Sequence, residues 1–184
     1  QKKDGLDYRE VNGQAILRRA AEVAAAGMHG LLLTGSAGTG KTMIAKRIPT
    51  ILPGLTREED IEISRIYSIC GLLPAGRPLL SERPFRSPHH TITARALAGG
   101  GVPPRPGELS LASGGVLFLD ELPHFSPFAV EILRQPLEER KITVTRVSGN
   151  YEFPADFMMV AAMNLCPCGF YPDRNRCNCS ENQI

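Results

Sequence analysis

The sequence has no tryptophan, and its aromatic residues are few: four tyrosines and seven phenylalanines in 184 residues. It therefore carries no aromatic ladder of the kind that stacks unpaired bases, although Tyr151 and Phe153 lie near each other. No run of about 18 apolar residues occurs, which excludes a membrane-spanning helix. An excess of charge is also missing. Twenty-one basic residues meet 19 acidic ones, and the net charge of +2 is too small to argue for a nucleic-acid partner by itself. The first residues do not read as a signal peptide. The chain opens on Gln1 rather than Met, and it reads as a segment of something longer. Its five cysteines are an odd number, and Cys70 stands alone in an apolar context. That argues against a secreted disulfide scaffold and for a cytoplasmic location.

What is present is the composition of an ordinary globular domain, 42% apolar and 22% charged, long enough for one real core. The spacing predicts a helix from about Gln14 to Ala26, with Ile16, Leu17, Ala20, Val23 and Ala24 on one face and Gly27 as its stop. Short apolar runs at Leu31–Thr34, in GVLFLDE and in DFMMVAAMN read as buried strands. A helix carries Met43 to Ile48. Thr56 and Glu59 form a capping box for another, striped with Ile61, Ile66 and Ile69 and closed by Gly71. Residues 71–107 are rich in Pro and Gly and read as an irregular insertion with one short helix near Thr93–Ala98. A helix is expected over 126–139, and KITVTRVSGNYEF reads as a hairpin turning at Ser-Gly-Asn. Strands separated by helices imply one α/β domain over 1–184, a mostly parallel sheet with helices on both faces.

Three strands end in residues with chemical potential. GSAGTGKT (Gly35, Ser36, Ala37, Gly38, Thr39, Gly40, Lys41, Thr42) matches G-x-x-x-x-G-K-[ST] in full, with Met43 next. Glycines let the backbone N–H groups face phosphates, Lys41 can reach the β- and γ-phosphates, and the Thr42 hydroxyl can ligate Mg²⁺. VLFLDE ends in Asp120, suited to the metal, and Glu121, suited to polarise a water as general base. MMVAAMN ends in Asn164, whose amide can accept from water and donate to a γ-phosphate oxygen at once.

These three elements resemble the Walker A, Walker B and sensor-1 elements of AAA+ ATPases. PFRSPHHTITARALAGGG, PRPGELSLASGGVLFLDELPHF, LRQPLEERKITVTR and NLCPCG together resemble the magnesium-chelatase-like ATPases of the ComM/YifB type, over about Tyr8 to Cys179. The resemblance implies an AAA+ core that binds ATP with Mg²⁺ and hydrolyses it. It implies that Val11 and Gly13 line the adenine pocket, and that the hairpin over 141–153 is a pre-sensor-1 insertion facing the pore of a ring, a hexamer in ComM-type DNA motors. It also implies that the helical lid, the arginine finger and the sensor-2 arginine lie outside this chain. Two other functions stay open: a chelatase-type motor driving metal insertion into a porphyrin, and a non-hydrolysing, nucleotide-dependent assembly module. DNA is the expected partner of the first reading, met in part through Arg140, Lys141 and Arg146 on the hairpin; a solvated basic face is the plainer account of those three.

Four cysteines, Cys166, Cys168, Cys177 and Cys179, gather after the third strand as C-x-C-x₈-C-x-C. They are able to close around one tetrahedral Zn²⁺, but the C-x-C pairs are tighter than the usual C-x₂₋₄-C, and reduced thiols need no metal. His89 and His90 lack a ligand-spaced neighbour and read as loop structure or a subunit contact.

Overall fold

The computed structural model describes residues 6–76, 78–147 and 149–183. Ser148 of the expected turn and both ends of the expected 1–184 domain lie outside the described residues. The order of elements is α1 (Ala15–Ala26), β1 (Leu31–Thr34), α2 (Lys41–Ala45), α3 (Arg57–Ile69), β2 (Phe85–Arg86), α4 (Ala94–Ala98), β3 (Gly99–Gly100), β4 (Arg105–Pro106), α5 (Glu108–Leu111), β5 (Val116–Leu119), α6 (Pro127–Ile132), α7 (Arg134–Glu139), β6 (Lys141–Arg146), β7 (Gly149–Pro154) and β8 (Met158–Met163).

Four strands form the central sheet in the order β1-β8-β5-β2, all parallel. Leu31 sits opposite Val160, and Val116 opposite Met158. Successive side chains on a strand point to opposite faces, and the core divides accordingly. Val116, Phe118, Met158, Val160 and Ala162 pack on one face with Leu33, Ala21, Ala24, Ala25, Ile44 and Ile48. Leu117, Leu119 and Ala161 pack on the other with Leu97, Leu109, Phe125, Ala129 and Leu133. Both faces are covered, which is why β5 reads as an unbroken apolar run rather than an alternating one. Beside this α/β core, β6 and β7 pair antiparallel, from Lys141 opposite Pro154 to Arg146 opposite Gly149, as the expected hairpin.

Several local expectations are corrected. The stretch 71–107 is not merely an insertion: β2 pairs with β5 and completes the main sheet. It is two residues long and has prolines at 84 and 88, so it carries no periodic signal. Helix α1 buries Ala21, Ala24 and Ala25, with Leu17 packed beside them, while Ile16 is 89% and Val23 52% exposed. Small side chains let the helix lie close on the sheet, which turns the larger ones outward. Ile69 on α3 is likewise exposed, and that helix buries Ile63, Ser64 and Ile66. Strand β1 is an edge strand with Leu33 buried and Leu32 52% exposed, not a fully buried one. The expected helix over 126–139 is divided at Leu133, because Pro136 has no N–H to offer the carbonyl four residues back. Helix α2 ends at Ala45, and Ile48–Thr50 form a separate 3-10 turn that contains Pro49.

Candidate functional site

In a parallel sheet every strand delivers its C-terminal end to the same edge, and residues that follow three strands meet there. Gly35–Thr42 leaves β1, Asp120 and Glu121 leave β5, and Asn164 leaves β8. The neighbouring register of β1, β8 and β5 makes these three segments adjacent in space.

The glycine-rich loop bends where its sequence allows. Gly38 and Gly40 have φ of 77° and 87°, a region that side chains with a Cβ rarely enter, and Gly40 starts α2. The Lys41 ammonium is held by three oxygens: Gly35 O at 2.8 Å, Ser36 O at 2.9 Å and Asn164 Oδ1 at 3.1 Å. Burial pushes its pKa below the usual lysine range, with the Asp120 carboxylate pulling the other way. The Thr42 hydroxyl donates to Asp120 Oδ2 at 2.8 Å, and Asp120 Oδ1 accepts from the Glu121 N–H at 3.0 Å. Two adjacent ligands of an octahedral Mg²⁺ stand about 2.9 Å apart, from metal–oxygen distances of about 2.0–2.1 Å. The Thr42 and Asp120 oxygens already have that separation, so this pair fits the ion.

A cavity of about 280 Å³ opens beside these groups, lined among others by Lys41, Asp120, Glu121, His124, Asn164 and Cys166. The structure thus brings together Lys41, Thr42, Asp120, Glu121 and Asn164. Ser36, Ala37 and Thr39 belong to the same loop, where Thr39 Oγ1 donates to Ser36 O at 2.9 Å. Met43 follows on α2 and is exposed. Gly13 is open, with nothing near the position a Cβ would take, whereas Val11 is 1% exposed and packed with Tyr8, Ile44 and Ile48 in the core.

Two groups went unassigned by sequence reasoning. Gln14 Nε2 donates to Thr39 O at 2.6 Å, tying the start of α1 to the phosphate loop. His90 and His124 both face Glu121: their Nδ1 atoms lie 3.5 and 3.3 Å from Glu121 Oε2. His90 is therefore set on a carboxylate, not merely on its own loop. The i, i+3 spacing of Glu121 and His124 was a usable signal; His90, 31 residues upstream, gave none. On the hairpin, Lys141 pairs with Glu152 at 2.9 Å and Arg140 with Asp156 at 3.4 Å. The four cysteines converge, with all their Sγ atoms within 4.8 Å of one another.

A family model described as "Magnesium chelatase, subunit ChlI" matches residues 7–184. The competence protein ComM of Haemophilus influenzae is 47% identical over 169 residues, 92% of this chain and 33% of that protein. The chain thus spans about a third of the length of this curated relative. Among solved structures, the assembly of magnesium chelatase subunits BchI and BchD superposes with a TM-score of 0.59 at 21% identity, covering 86% of this chain and 52% of that one. NtrX from Brucella abortus in complex with ADP gives 0.56 at 20% identity, covering 85% and 31%. At such identities the two structures speak for the fold alone.

Proposed function

The chain belongs to the magnesium-chelatase-like family of AAA+ proteins that includes ComM, and from that premise we propose that it binds ATP with Mg²⁺ and hydrolyses it as the motor module of a ring. The observation that carries this reading is the convergence of Lys41, Thr42, Asp120, Glu121 and Asn164 at one edge of the sheet. The ADP bound to NtrX, a protein of the same fold, is consistent with it.

Each residue has a task its geometry suits. The N–H groups of the Gly35–Thr42 loop, apart from that of Ala37, which donates to Gly169 O, surround the phosphates, and Lys41 turns from the loop carbonyls to the β- and γ-phosphate oxygens. Thr42 and Asp120 would hold Mg²⁺, which would supply positive charge against that developing on the phosphate oxygens. Glu121 takes a proton from water as the water oxygen attacks the γ-phosphorus, and ADP leaves with the β–γ bridging oxygen. Asn164 has its Oδ1 engaged by Lys41, so Nδ2 is the end that meets the γ-phosphate or the attacking water. His90 and His124 both approach Oε2 of Glu121 and help to restrain that carboxylate. Of the two residues expected near the adenine, Gly13 is left open for that role, while Val11, 1% exposed, is packed in the core.

DNA is the substrate we assign to the assembled ring, on the strength of the 47% identity to a competence protein. The name of the matching family model favours a second reading, a chelatase-type motor acting on a metal–porphyrin reaction. The test is the ATPase rate of the full-length protein with and without single-stranded and branched DNA. Stimulation by DNA supports the first reading. An ATPase indifferent to DNA but coupled to metal insertion into a porphyrin supports the second. Absence of hydrolysis in the assembled protein overturns both and leaves a nucleotide-dependent assembly module.

A further inference from the structure

The four cysteines after β8 have no place in the hydrolysis of ATP, and they are the densest group of metal-binding atoms in the described chain. Cys166 Sγ lies 3.3 Å from Cys168 Sγ and 3.7 Å from Cys177 Sγ, and the latter two are 3.6 Å apart. Cys179 Sγ completes a set in which every pair is within 4.8 Å. Sulfurs that each bind a tetrahedral ion at about 2.3 Å stand about 3.8 Å from one another. The quartet is therefore nearly at the spacing of four ligands on one ion, and no two of its sulfurs are bonded as a disulfide. All four are free thiols. Four sulfurs this close also argue against an iron–sulfur cluster, which distributes its cysteines over several iron atoms and spreads them apart.

The surroundings fit a thiolate site. Four thiolates around a divalent cation leave a net charge of −2, which needs donors and nearby positive charge. The Tyr171 N–H donates to Cys166 Sγ at 3.4 Å. Arg174 stacks over the Tyr171 ring with its guanidinium carbon 5.2 Å from the centroid, and Arg176 over Phe170 at 4.2 Å. The same loop thus carries two cations stacked on its aromatic side chains. Cys166 and Cys177 are buried and Cys168 is exposed, so an ion can enter from the Cys168 side.

We propose that Cys166, Cys168, Cys177 and Cys179 bind one structural Zn²⁺. Soft sulfur ligands in a tetrahedral set select zinc among common divalent ions, and a closed set of four leaves no position for catalysis. Zinc binding displaces the thiol protons and replaces a hydrophobic core this loop lacks. The loop is also seated on the nucleotide site: the Ala37 N–H of the phosphate loop donates to Gly169 O at 3.2 Å, and Cys166 lines the same cavity as Lys41 and Asn164. A second consequence, which rests on the proposed ATP site, is that loss of the ion loosens this contact and weakens nucleotide binding.

The test is the metal content of full-length protein purified under reducing conditions, compared with its Cys168→Ser, Cys179→Ser and Cys70→Ser variants. The expected result is about one zinc per chain lost in each of the first two variants and retained in the third, which lies outside the quartet. Replacement by Co²⁺ should produce the visible absorption of a tetrahedral thiolate complex in the parent protein and in Cys70→Ser alone. Should the serine variants fail to fold, zinc content and the cobalt spectrum of the parent protein decide. Reduced, zinc-supplemented protein that retains no metal overturns the proposal, as does iron in place of zinc or a disulfide in the quartet under reducing conditions. ATP affinity measured before and after chelation reads the second consequence separately, so a failed ATP site and a failed zinc site give different results.

Discussion

Lys41 is a half-buried cation held by three neutral oxygens, and that arrangement favours the ligand over the free protein. Its pKa is lowered by burial, so the folded chain holds that proton less tightly than the unfolded chain does. The penalty is fully present below the folded value and disappears as the pH rises past the ordinary lysine value. A phosphate supplies the missing negative charge. Lys41→Met is therefore expected to weaken ATP binding by about 10- to 100-fold, the worth of one charge-assisted hydrogen bond, which calorimetric titration checks. Glu121→Gln has a different signature: the amide cannot take a proton, so turnover falls by about 10²–10⁴-fold while ATP binding is kept. At this scale the meeting of Gly35–Thr42, Asp120 and Asn164 was legible, because each follows a strand of one parallel sheet. The two histidines against Glu121 were not legible as a pair, since their approach depends on how the chain after β2 folds back over β5.

Elements supply the next level, and α3 shows how they hold the sheet. Thr56 Oγ1 accepts from the Glu59 N–H at 3.2 Å, and Glu59 Oε2 accepts from the Thr56 N–H at 2.7 Å. Arg83, from the segment before β2, joins Glu59 at 3.3 Å and so ties helix to sheet. Partial burial works against ionisation of Glu59, but the Thr56 N–H and Arg83 outweigh it and hold the carboxyl below the usual glutamate range. The stability this gives is present above the unfolded glutamate value and is lost as pH falls through the lowered folded value. Glu59→Gln and Thr56→Ala should each cost about 1 kcal/mol at neutral pH, roughly 2–4 °C in the thermal midpoint. For Glu59→Gln the difference from the parent should vanish in strong acid; a constant difference across pH would refute the charge argument. Gly115 is the tighter constraint. A Cβ there would run into the Pro84 carbonyl, which accepts from the Val116 N–H at 2.8 Å at the start of the β2–β5 pairing. Gly115→Ala is expected to destabilise by about 3 kcal/mol or more, read by denaturant unfolding. The capping box and the three longer strands were legible because local chemistry writes them. The β2 pairing and the outward turn of Ile16 and Val23 were not, because both follow from how elements pack on one another.

The whole molecule sets a limit on what one chain does with ATP. Among the described residues that line the cavity beside Asn164, Lys41 is the one lysine or arginine. Transfer of a phosphoryl group spreads negative charge over its oxygens, and in related chemistry an added arginine is worth about 10³–10⁵ in rate. In the proposed ring, a neighbouring subunit would supply that charge. Turnover per chain should therefore climb steeply with protein concentration, by about 10³-fold or more between monomer and full assembly, while ATP affinity changes little. The measurement is the specific ATPase activity across a dilution series, with the assembly state followed by sedimentation on the same samples. The 184-residue chain alone is expected to bind ATP and to turn it over slowly. Rapid, concentration-independent hydrolysis by a monomer would mean that Lys41, Mg²⁺ and Asn164 suffice, and that the ring serves some purpose other than completing the site.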